Sequence, residues 1–325
     1  MRMKYMKKYT ISALGELLID FTESGVSSTG MKIFEQNPGG AVGNVLAAAT
    51  KFGEATAFIG KVGNDMHGLF LKQTLENAGI TTEGLIVSED TFTTLAFVAL
   101  SDGERTFSFA RKPGADTQLK IEELNVDILN HTKILHVGSL SLTDEPARSA
   151  TYEAVKIAKQ SGSIISYDPN YRASLWRNEE AATEQMRKIL PLIDIIKLSN
   201  EELILLTGAE DPINASKVLF DTGIKCIVIT IGAEGAFVSL GKDTAMVKGY
   251  DSKPVDTTGA GDAFWGGFLH KFIQSKKTVD ELELNDVCAF AQWGNATAAL
   301  CIRGRGAIPS MPSKEAVEQL IGEGK

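Results

Sequence analysis

A short segment in the last third of the chain places glycines, hydroxyls and two carboxylates next to a helix. Residues 255–262 read Val-Asp-Thr-Thr-Gly-Ala-Gly-Asp, and Phe264, Phe268 and Phe272 follow at helical spacing. The spacing predicts a helix over 260–274 that begins at two glycines. Its first backbone N–H groups and the positive end of its dipole are therefore open to an anion such as phosphate.

Asp262 lies one residue after the second of these glycines, Gly261. A carboxylate at this point would repel a bound anion, which favours a role in which it handles a proton. A base beside a phosphate site indicates phosphoryl transfer. The alternative is that Asp262 only stabilises the positive end of the helix, and this segment alone does not decide between the two.

Composition narrows the classes of partner. The chain has 325 residues and a net charge of −8, which argues against a nucleic-acid or anionic-membrane partner but leaves a nucleotide possible. Cys226, Cys288 and Cys301 lie in apolar segments without Cys-x-x-Cys spacing, as expected of reduced thiols. Residues 1–8 are basic, but Glu16 and Asp20 interrupt the apolar run that follows. We therefore expect no signal peptide, no membrane span and a cytoplasmic protein.

Alternating strand and helix patterns position the glycine-rich segment. Strands are predicted at 10–14, 55–60, 134–137, 164–167, 193–198, 226–231 and 236–240. Helices are predicted from Gly40 to Gly53 and at 66–78, 145–161, 179–190, 200–206, 212–222, 260–274, 285–302 and 313–321. This order predicts an α/β fold with a mainly parallel sheet covered by helices on both faces.

One part of the chain breaks the alternation. Residues 92–109 form two β-patterned runs around Asp102-Gly103, which predicts a hairpin. With the polar residues before Gly39 it would form a small second sheet over the strand ends. We expect one domain over 1–325 with a β-sheet lid from about 20–38 and 92–112.

Polar loops follow several predicted strands. Asp20 ends the first strand region, and the loops 168–172, 197–202 and 230–235 follow later strands. Each has a simpler alternative, such as a turn former, a helix capping box or a tight glycine turn. Because carboxyl ends of parallel strands meet at one edge of a sheet, a single cleft explains the loops better.

Competing signatures are absent from the sequence. There is no Gly-x4-Gly-Lys-[Ser/Thr] motif, and Gly259-x-Gly261 lacks the third glycine of a dinucleotide site. The four histidines form no zinc motif, and His136 is predicted to be a packed strand residue.

Two motifs resemble a known family. Residues 256–262 resemble the second signature of the ribokinase-like (PfkB) carbohydrate kinases, and Gly39-Gly40 with Asn44 resembles the first. Residues 15–21 and the Arg-Lys-Pro-Gly-Ala-Asp segment at 111–116 resemble the fructokinases within it. The resemblance implies the ribokinase-like fold and an ATP-dependent sugar kinase with Mg²⁺, in which the lid often pairs two subunits into a homodimer.

The resemblance also implies residue roles. Asp262 would be the general base, and Gly259, Ala260 and Gly261 the anion hole. Sugar contacts would be Asp20, Gly39, Gly40, Asn44, Arg111, Asp168 and Arg172. The nucleotide site would comprise Lys197, Glu202, Thr230, Gly232, Gly235 and Asn295, and Glu202 would order the water shell of Mg²⁺. A monovalent cation, expected to be K⁺, would be bound by Asp256, Thr258, Cys301, Gly304, Gly306 and Ser310. Ser199 departs from the family pattern, which has Asn three residues before this Glu.

The expected substrate is D-fructose. A 2-keto-3-deoxygluconate kinase and a ribokinase are the enzyme alternatives, and a non-catalytic sugar-binding regulatory protein is the alternative from another class.

Overall fold

Two sheets organise the chain in the computed structural model, which describes residues 7–101 and 104–323. The strands within these ranges are β1 (Tyr9–Leu14), β2 (Leu18–Val26), β3 (Lys32–Gly39), β4 (Thr56–Gly63), β5 (Thr81–Ser88), β6 (Leu95–Ser101), β7 (Glu104–Ala110), β8 (Thr132–Gly138), β9 (Ile164–Asp168), β10 (Ile195–Ser199), β11 (Cys226–Thr230), β12 (Gly235–Leu240) and β13 (Asp243–Lys248). The α-helices are α1 (Ala41–Lys51), α2 (Met66–Asn77), α3 (Val126–Asn130), α4 (Ala147–Gln160), α5 (Glu179–Ile189), α6 (Asn200–Thr207), α7 (Pro212–Phe220), α8 (Ala260–Ser275), α9 (Leu284–Cys301) and α10 (Lys314–Glu323).

The large sheet has the strand order β13-β12-β11-β10-β9-β8-β1-β4-β5. Neighbouring strands from β11 to β5 are parallel, and β12 and β13 add two antiparallel pairings at one edge. The predicted mainly parallel sheet is confirmed. Strands β5 and β13 were not predicted.

Buried apolar side chains cover both faces of this sheet. Ile195 packs into a core with residues of α1, α8 and α9, whereas its neighbour Ile196 packs into a second core with residues of α4, α5 and α6. Successive residues of a strand point to opposite faces, so a strand buried on both sides is apolar throughout. None of the helices in the described ranges is long and apolar enough to cross a membrane.

The small sheet, here called the lid sheet, has the order β3-β2-β6-β7. β2 pairs antiparallel with β3 and parallel with β6, and β6 and β7 form the predicted hairpin. Its turn residues Asp102 and Gly103 lie outside the described residues. The predicted lid is therefore present as a separate sheet.

Candidate active site

The cleft of this protein lies where the strand order changes direction. The chain continues from β1 to β4 on one side and later adds β8 on the other, and such switch points are where open α/β sheets bind ligands. A cavity of about 620 Å³ opens there between the strand ends, the start of α8 and the lid sheet.

Many of the predicted site residues line this cavity. They are Asp20, Gly40, Asn44, Arg172, Lys197, Glu202, Thr230, Asp256, Thr258, Gly259, Ala260, Gly261, Asp262 and Gly306. The other predicted residues, all within the described ranges, lie behind the wall or outside the cavity: Gly39, Arg111, Asp168, Gly232, Gly235, Asn295, Cys301, Gly304 and Ser310.

The turn that begins α8 has the features of an anion site. Gly259 is left-handed, with φ 76°, and a β-carbon on it would come 2.4 Å from Cβ of Ala307. Within the described part of the chain, no side chain caps this helix. The first N–H groups of α8 are therefore available to a ligand in the cleft.

Asp262 lies in the first turn of α8 and is buried. Nδ2 of Asn44 donates to its Oδ2 at 2.8 Å. Burial raises the pKa of Asp262 to about 6, and the charge of Asp168 adds to the rise, while the bond from Asn44 opposes it. A carboxylate with this pKa is ionised at neutral pH and still a useful proton acceptor.

A buried ion pair lies next to this turn. Lys197 in the middle of β10 donates to the carboxylate of Asp168 at the end of β9. Burial lowers the pKa of Lys197, but the charges of Asp168 and Glu202 outweigh this and leave it raised. Nζ lies 3.2 Å from the position of a β-carbon on Gly261. A positive charge therefore borders the anion turn, and Asp168, which does not line the cavity, is its partner.

Glu202 is held rigidly at the start of α6. Its Oε2 accepts from N of Ser199 at 2.7 Å, Oγ of Ser199 accepts from N of Glu202 at 3.2 Å, and Oε1 accepts from N of Tyr171 at 2.7 Å. Ser199 thus completes a capping box with Glu202. Among the described residues, no group of three or more His, Cys, Asp or Glu could hold a metal ion.

Asp20 and Arg172 lie at the lid end of the cleft. Desolvation raises the pKa of Asp20 to about 6, while the charge of Arg172 lowers it. Gly39 lies directly behind, because a β-carbon on it would come 2.3 Å from Oδ2 of Asp20. Gly39 therefore permits the position of Asp20 on the wall.

Arg111 does not line the cavity, and its expected contact with the sugar stays a prediction. Its guanidinium donates to Asp116 at 2.8 and 2.7 Å, to Oγ1 of Thr143 at 2.9 Å and to the carbonyl of Leu140 at 2.8 Å. Both members of the pair are buried. These bonds tie the end of β7 to the body, so Arg111 is positioned to support the lid sheet.

The expected cation loop is joined through Asp256. Its Oδ1 accepts from N and Oγ1 of Thr258 at 3.0 and 2.7 Å, and its Oδ2 accepts from N of Gly306 at 3.0 Å. Cys301 is buried behind this loop, and Oγ of Ser310 donates to the carbonyl of Arg305. The two chain segments that would supply the cation ligands are thus held together.

The remaining nucleotide residues serve local structure here. Gly235 has φ 110°, and a β-carbon on it would come 2.1 Å from the carbonyl of Val247. Nδ2 of Asn295 donates to the carbonyls of Val247 and Lys248, both at 3.0 Å. Gly232 lies in the same β11–β12 turn. Their contact with a nucleotide stays a prediction.

His136 is a packed strand residue, as predicted. Its Nδ1 lies 3.0 Å from Oγ of Ser166, which also accepts from Nε1 of Trp265 at 2.8 Å. Burial lowers the pKa of His136 to about 4. It is therefore neutral at physiological pH and helps to seat α8 on the sheet.

Comparisons with known proteins agree with this geometry. Residues 9–314 match the family described as pfkB family carbohydrate kinase. The chain belongs to the pfkB family. A relative, "Probable fructokinase-7" of Arabidopsis thaliana, is 42% identical over 318 residues, which cover 96% of this chain and 92% of that protein.

Solved fructokinase structures share the fold. That of Xylella fastidiosa fructokinase with bound ATP has a TM-score of 0.91 at 33% identity and covers 97% of this chain and 98% of that one. A double mutant of Vibrio cholerae fructokinase with fructose, ADP and a potassium ion has a TM-score of 0.87 at 30% identity, covering 98% and 100%. The ribokinase-like fold expected for a pfkB protein is confirmed.

Some residues that line the cleft were not predicted from the sequence. Glu16, after β1, lines the cleft, and its Oε1 accepts from N of Ala41 at 2.7 Å at the start of α1. Glu35, Asn37 and Arg305 also line it. A Glu directly after Gly15, at the end of the first predicted strand, was a usable signal, whereas the lid residues and Arg305 lie in stretches without a motif.

Proposed function

We propose that this pfkB protein transfers the γ-phosphoryl group of ATP to D-fructose. The observation that carries the proposal is the position of Asp262, which is buried, has a raised pKa and adjoins the uncapped turn 259–261 inside the cleft. A catalytic carboxylate in the cleft argues against a purely sugar-binding protein.

The roles follow from the contacts. Asp262 accepts the proton of the attacking sugar hydroxyl, and residues 259–261 bind the charge that develops on the transferred group. Lys197 adds a fixed positive charge beside that turn. Phosphoryl transfer depends mainly on such positioning and electrostatics.

The sugar is expected to lie between Asp20, Gly40 and Asn44. Among the described residues, the buried Oδ1 of Asn44 has no hydrogen-bond partner, so it is available to a sugar hydroxyl. Gly39 and Asp168 support these contacts from behind. Arg111 is proposed as a supporting residue in place of a direct contact.

Mg²⁺ fits this cleft as an ion held by waters and by the phosphates of ATP, where it would neutralise phosphate charge. Glu202 lines the cleft and is held by two backbone amides, so it would orient a metal-bound water. Thr230, Gly232, Gly235 and Asn295 are proposed to border the nucleotide.

A monovalent cation, K⁺, is proposed beside Asp256 and Thr258, with Cys301, Gly304, Gly306 and Ser310 on the adjoining segment. The hydrogen bond from Gly306 to Asp256 supports this proposal, because it holds the two segments together. The Vibrio cholerae relative was solved with potassium.

One observation favours a second substrate class. Arg172 lines the sugar end of the cleft and donates to the carbonyl of Tyr171 at 2.9 Å. An arginine there could pair with the carboxylate of a sugar acid such as 2-keto-3-deoxygluconate. Asp20 and Asp262 on the same wall favour a neutral sugar instead.

A coupled assay with ATP across fructose, ribose, 2-keto-3-deoxygluconate and glucose tests the proposal. We expect the highest kcat/KM for fructose. Asp262→Asn should still bind sugar and nucleotide, as measured by calorimetry. Its kcat should fall about 10²- to 10⁴-fold. Near-normal turnover in Asp262→Asn, beside an unchanged Asp280→Asn control, would contradict the role as base.

We also propose a cytoplasmic homodimer that pairs through the outer face of the lid sheet. Phe97 is stacked with Phe21 and edge-on to Phe34 on that face, and the ring of Phe97 is partly exposed. The free cysteines fit a reducing compartment. Sedimentation of wild type and Phe97→Lys tests the dimer, which the added charge should weaken.

A further inference from the structure

An ion pair crosses the mouth of the cleft. Nη1 of Arg305 lies 2.8 Å from Oε1 of Glu35, and the two residues are 270 positions apart. Glu35 belongs to lid strand β3, whereas Arg305 belongs to the segment after α9. Both line the cavity. The pair thus joins the lid sheet to the body on the side opposite Arg111.

The body end of the pair adjoins the phosphate turn. The backbone around Arg305 is fixed, because its carbonyl accepts from Oγ of Ser310 at 2.9 Å and the next residue, Gly306, donates to Asp256 at 3.0 Å. Ala307 then packs against Gly259. A displacement of this segment would therefore move Gly259, the first residue of the anion turn.

The lid end of the pair adjoins the sugar site. Glu35 is in register with Thr22, and Asn37 is in register with Asp20. Asn37 approaches the same body segment, since its Oδ1 lies 3.3 Å from the position of a β-carbon on Gly306. Strand β3 therefore carries a second contact to this segment, two residues closer to the sugar end.

We propose that Arg305 and Glu35 are a positioning pair that holds the lid sheet against the phosphate-side segment and so fixes the sugar relative to the anion turn. The kinetic part of this proposal rests on the proposed sugar kinase function. The pair is exposed, with 64% of the Arg305 side chain and 43% of the Glu35 side chain accessible. It therefore stabilises the contact between the lid sheet and the phosphate-side segment only modestly, and salt weakens it.

Hydrogen exchange on the ligand-free protein tests the pair without using activity. In Glu35→Gln and in Arg305→Gln, the amides of β2 and β3 should exchange about two- to fivefold faster than in wild type. Asp280→Asn, which breaks the exposed Lys225–Asp280 pair at 2.6 Å, is the matched control and should leave these amides unchanged. Unchanged lid exchange in both test variants would overturn the proposal, whatever the reaction of the protein is.

A double-mutant cycle on the sugar KM tests the coupling to catalysis. Each single variant should raise the KM for fructose about two- to fivefold, the double variant should be no worse than either, and the exchange Glu35→Arg with Arg305→Glu should restore most of the loss. Moderate salt should raise the KM of wild type toward that of the variants. Additive losses without rescue would show that the two residues act separately and would refute the pair.

If the wild-type protein phosphorylates none of the sugars tested, the proposed function fails. The exchange experiment then decides the positioning pair alone.

Discussion

Nδ2 of Asn44 donates a 2.8 Å hydrogen bond to Oδ2 of Asp262, across 218 positions of sequence. Asn44 lies one turn into α1, and Asp262 lies in the first turn of α8. The two helices also pack together through Gly266, whose β-carbon would come 2.5 Å from Cβ of Ala48. The proposed base is thus oriented by a helix from the other half of the chain.

Replacing Asn44 with Ala should shift the acid limb of the pH–rate profile upward. The amide favours the ionised form of Asp262, so its loss raises a pKa that is already about 6. We expect a rise on the order of one unit in the kinetic pKa, with a larger loss of kcat/KM at pH 6 than at pH 8. Asn64→Ala, which removes a surface bond to Glu89, is the control and should leave the profile in place. An equal loss at both pH values would mean that Asn44 affects only binding.

Gly259→Ala should lower kcat in addition to lowering the free energy of unfolding. Gly259 and Gly208 have nearly the same φ, 76° and 74°, but a β-carbon clashes with Ala307 only at Gly259. Both alanine variants should lose about 1–2 kcal/mol of unfolding free energy from the left-handed backbone. Only Gly259→Ala should also lose at least about tenfold in kcat, because the anion turn must move. Equal kcat values in the two variants would exclude a close fit of this turn.

Asp116→Ala should destabilise the fold strongly. It leaves the buried guanidinium of Arg111 without its carboxylate and removes the acceptor of Thr94 Oγ1 in the lid region. We expect a loss of about 3–5 kcal/mol in the free energy of unfolding, measured with urea. Asp280→Ala, which breaks the more exposed Lys225–Asp280 pair, should cost less than about 1 kcal/mol. Similar losses in the two variants would show that burial of the Arg111 pair has no special weight.

Glu16→Gln should flatten the pH dependence of stability. Burial raises the pKa of Glu16 to about 7, well above the ordinary value of a glutamate. A raised folded-state pKa gives a stabilising contribution that is complete below the unfolded value and is lost as the pH rises through about 7. Gln still accepts from N of Ala41 but does not titrate. When the pH rises from 5 to 8, wild type should therefore lose up to about 3 kcal/mol of unfolding free energy that the variant does not lose. The control is Glu122→Gln at an exposed position, and a curve parallel to wild type in Glu16→Gln would contradict the assignment.

Local patterns predicted most of the fold. The apolar spacing after Gly259 predicted α8, and Asp102-Gly103 predicted the hairpin that ends the lid sheet. Strand β5 escaped prediction because it contains polar residues and Gly84, which contacts the carbonyl of Phe58 where a β-carbon would not fit. Strand β13 is a half-exposed edge strand with little apolar signal.

The site was predictable where its residues are neighbours in sequence and less so where they are not. The turn 256–262 carries its chemistry within seven positions. The partner of Arg111 is only five positions away, but a sequence pattern does not report that the two side chains are buried together. The contact of Arg305 with Glu35 joins positions brought together only by the finished fold.

Strands β2 and β3 of the lid sheet form a hairpin that lies in the chain between strand β1 and helix α1. Residues 15–17 join β1 to β2, and Gly40 alone joins β3 to α1. Gly40 has φ 121°, and a β-carbon on it would come 2.4 Å from the carbonyl of Glu16, so the two connections touch each other. Movement of this hairpin relative to the body would therefore change the backbone at both connections together. A sugar bound at the proposed site beside Gly40 would contact these two connections and not the lid tip, so its affinity would depend on the same backbone torsions as any movement of the hairpin.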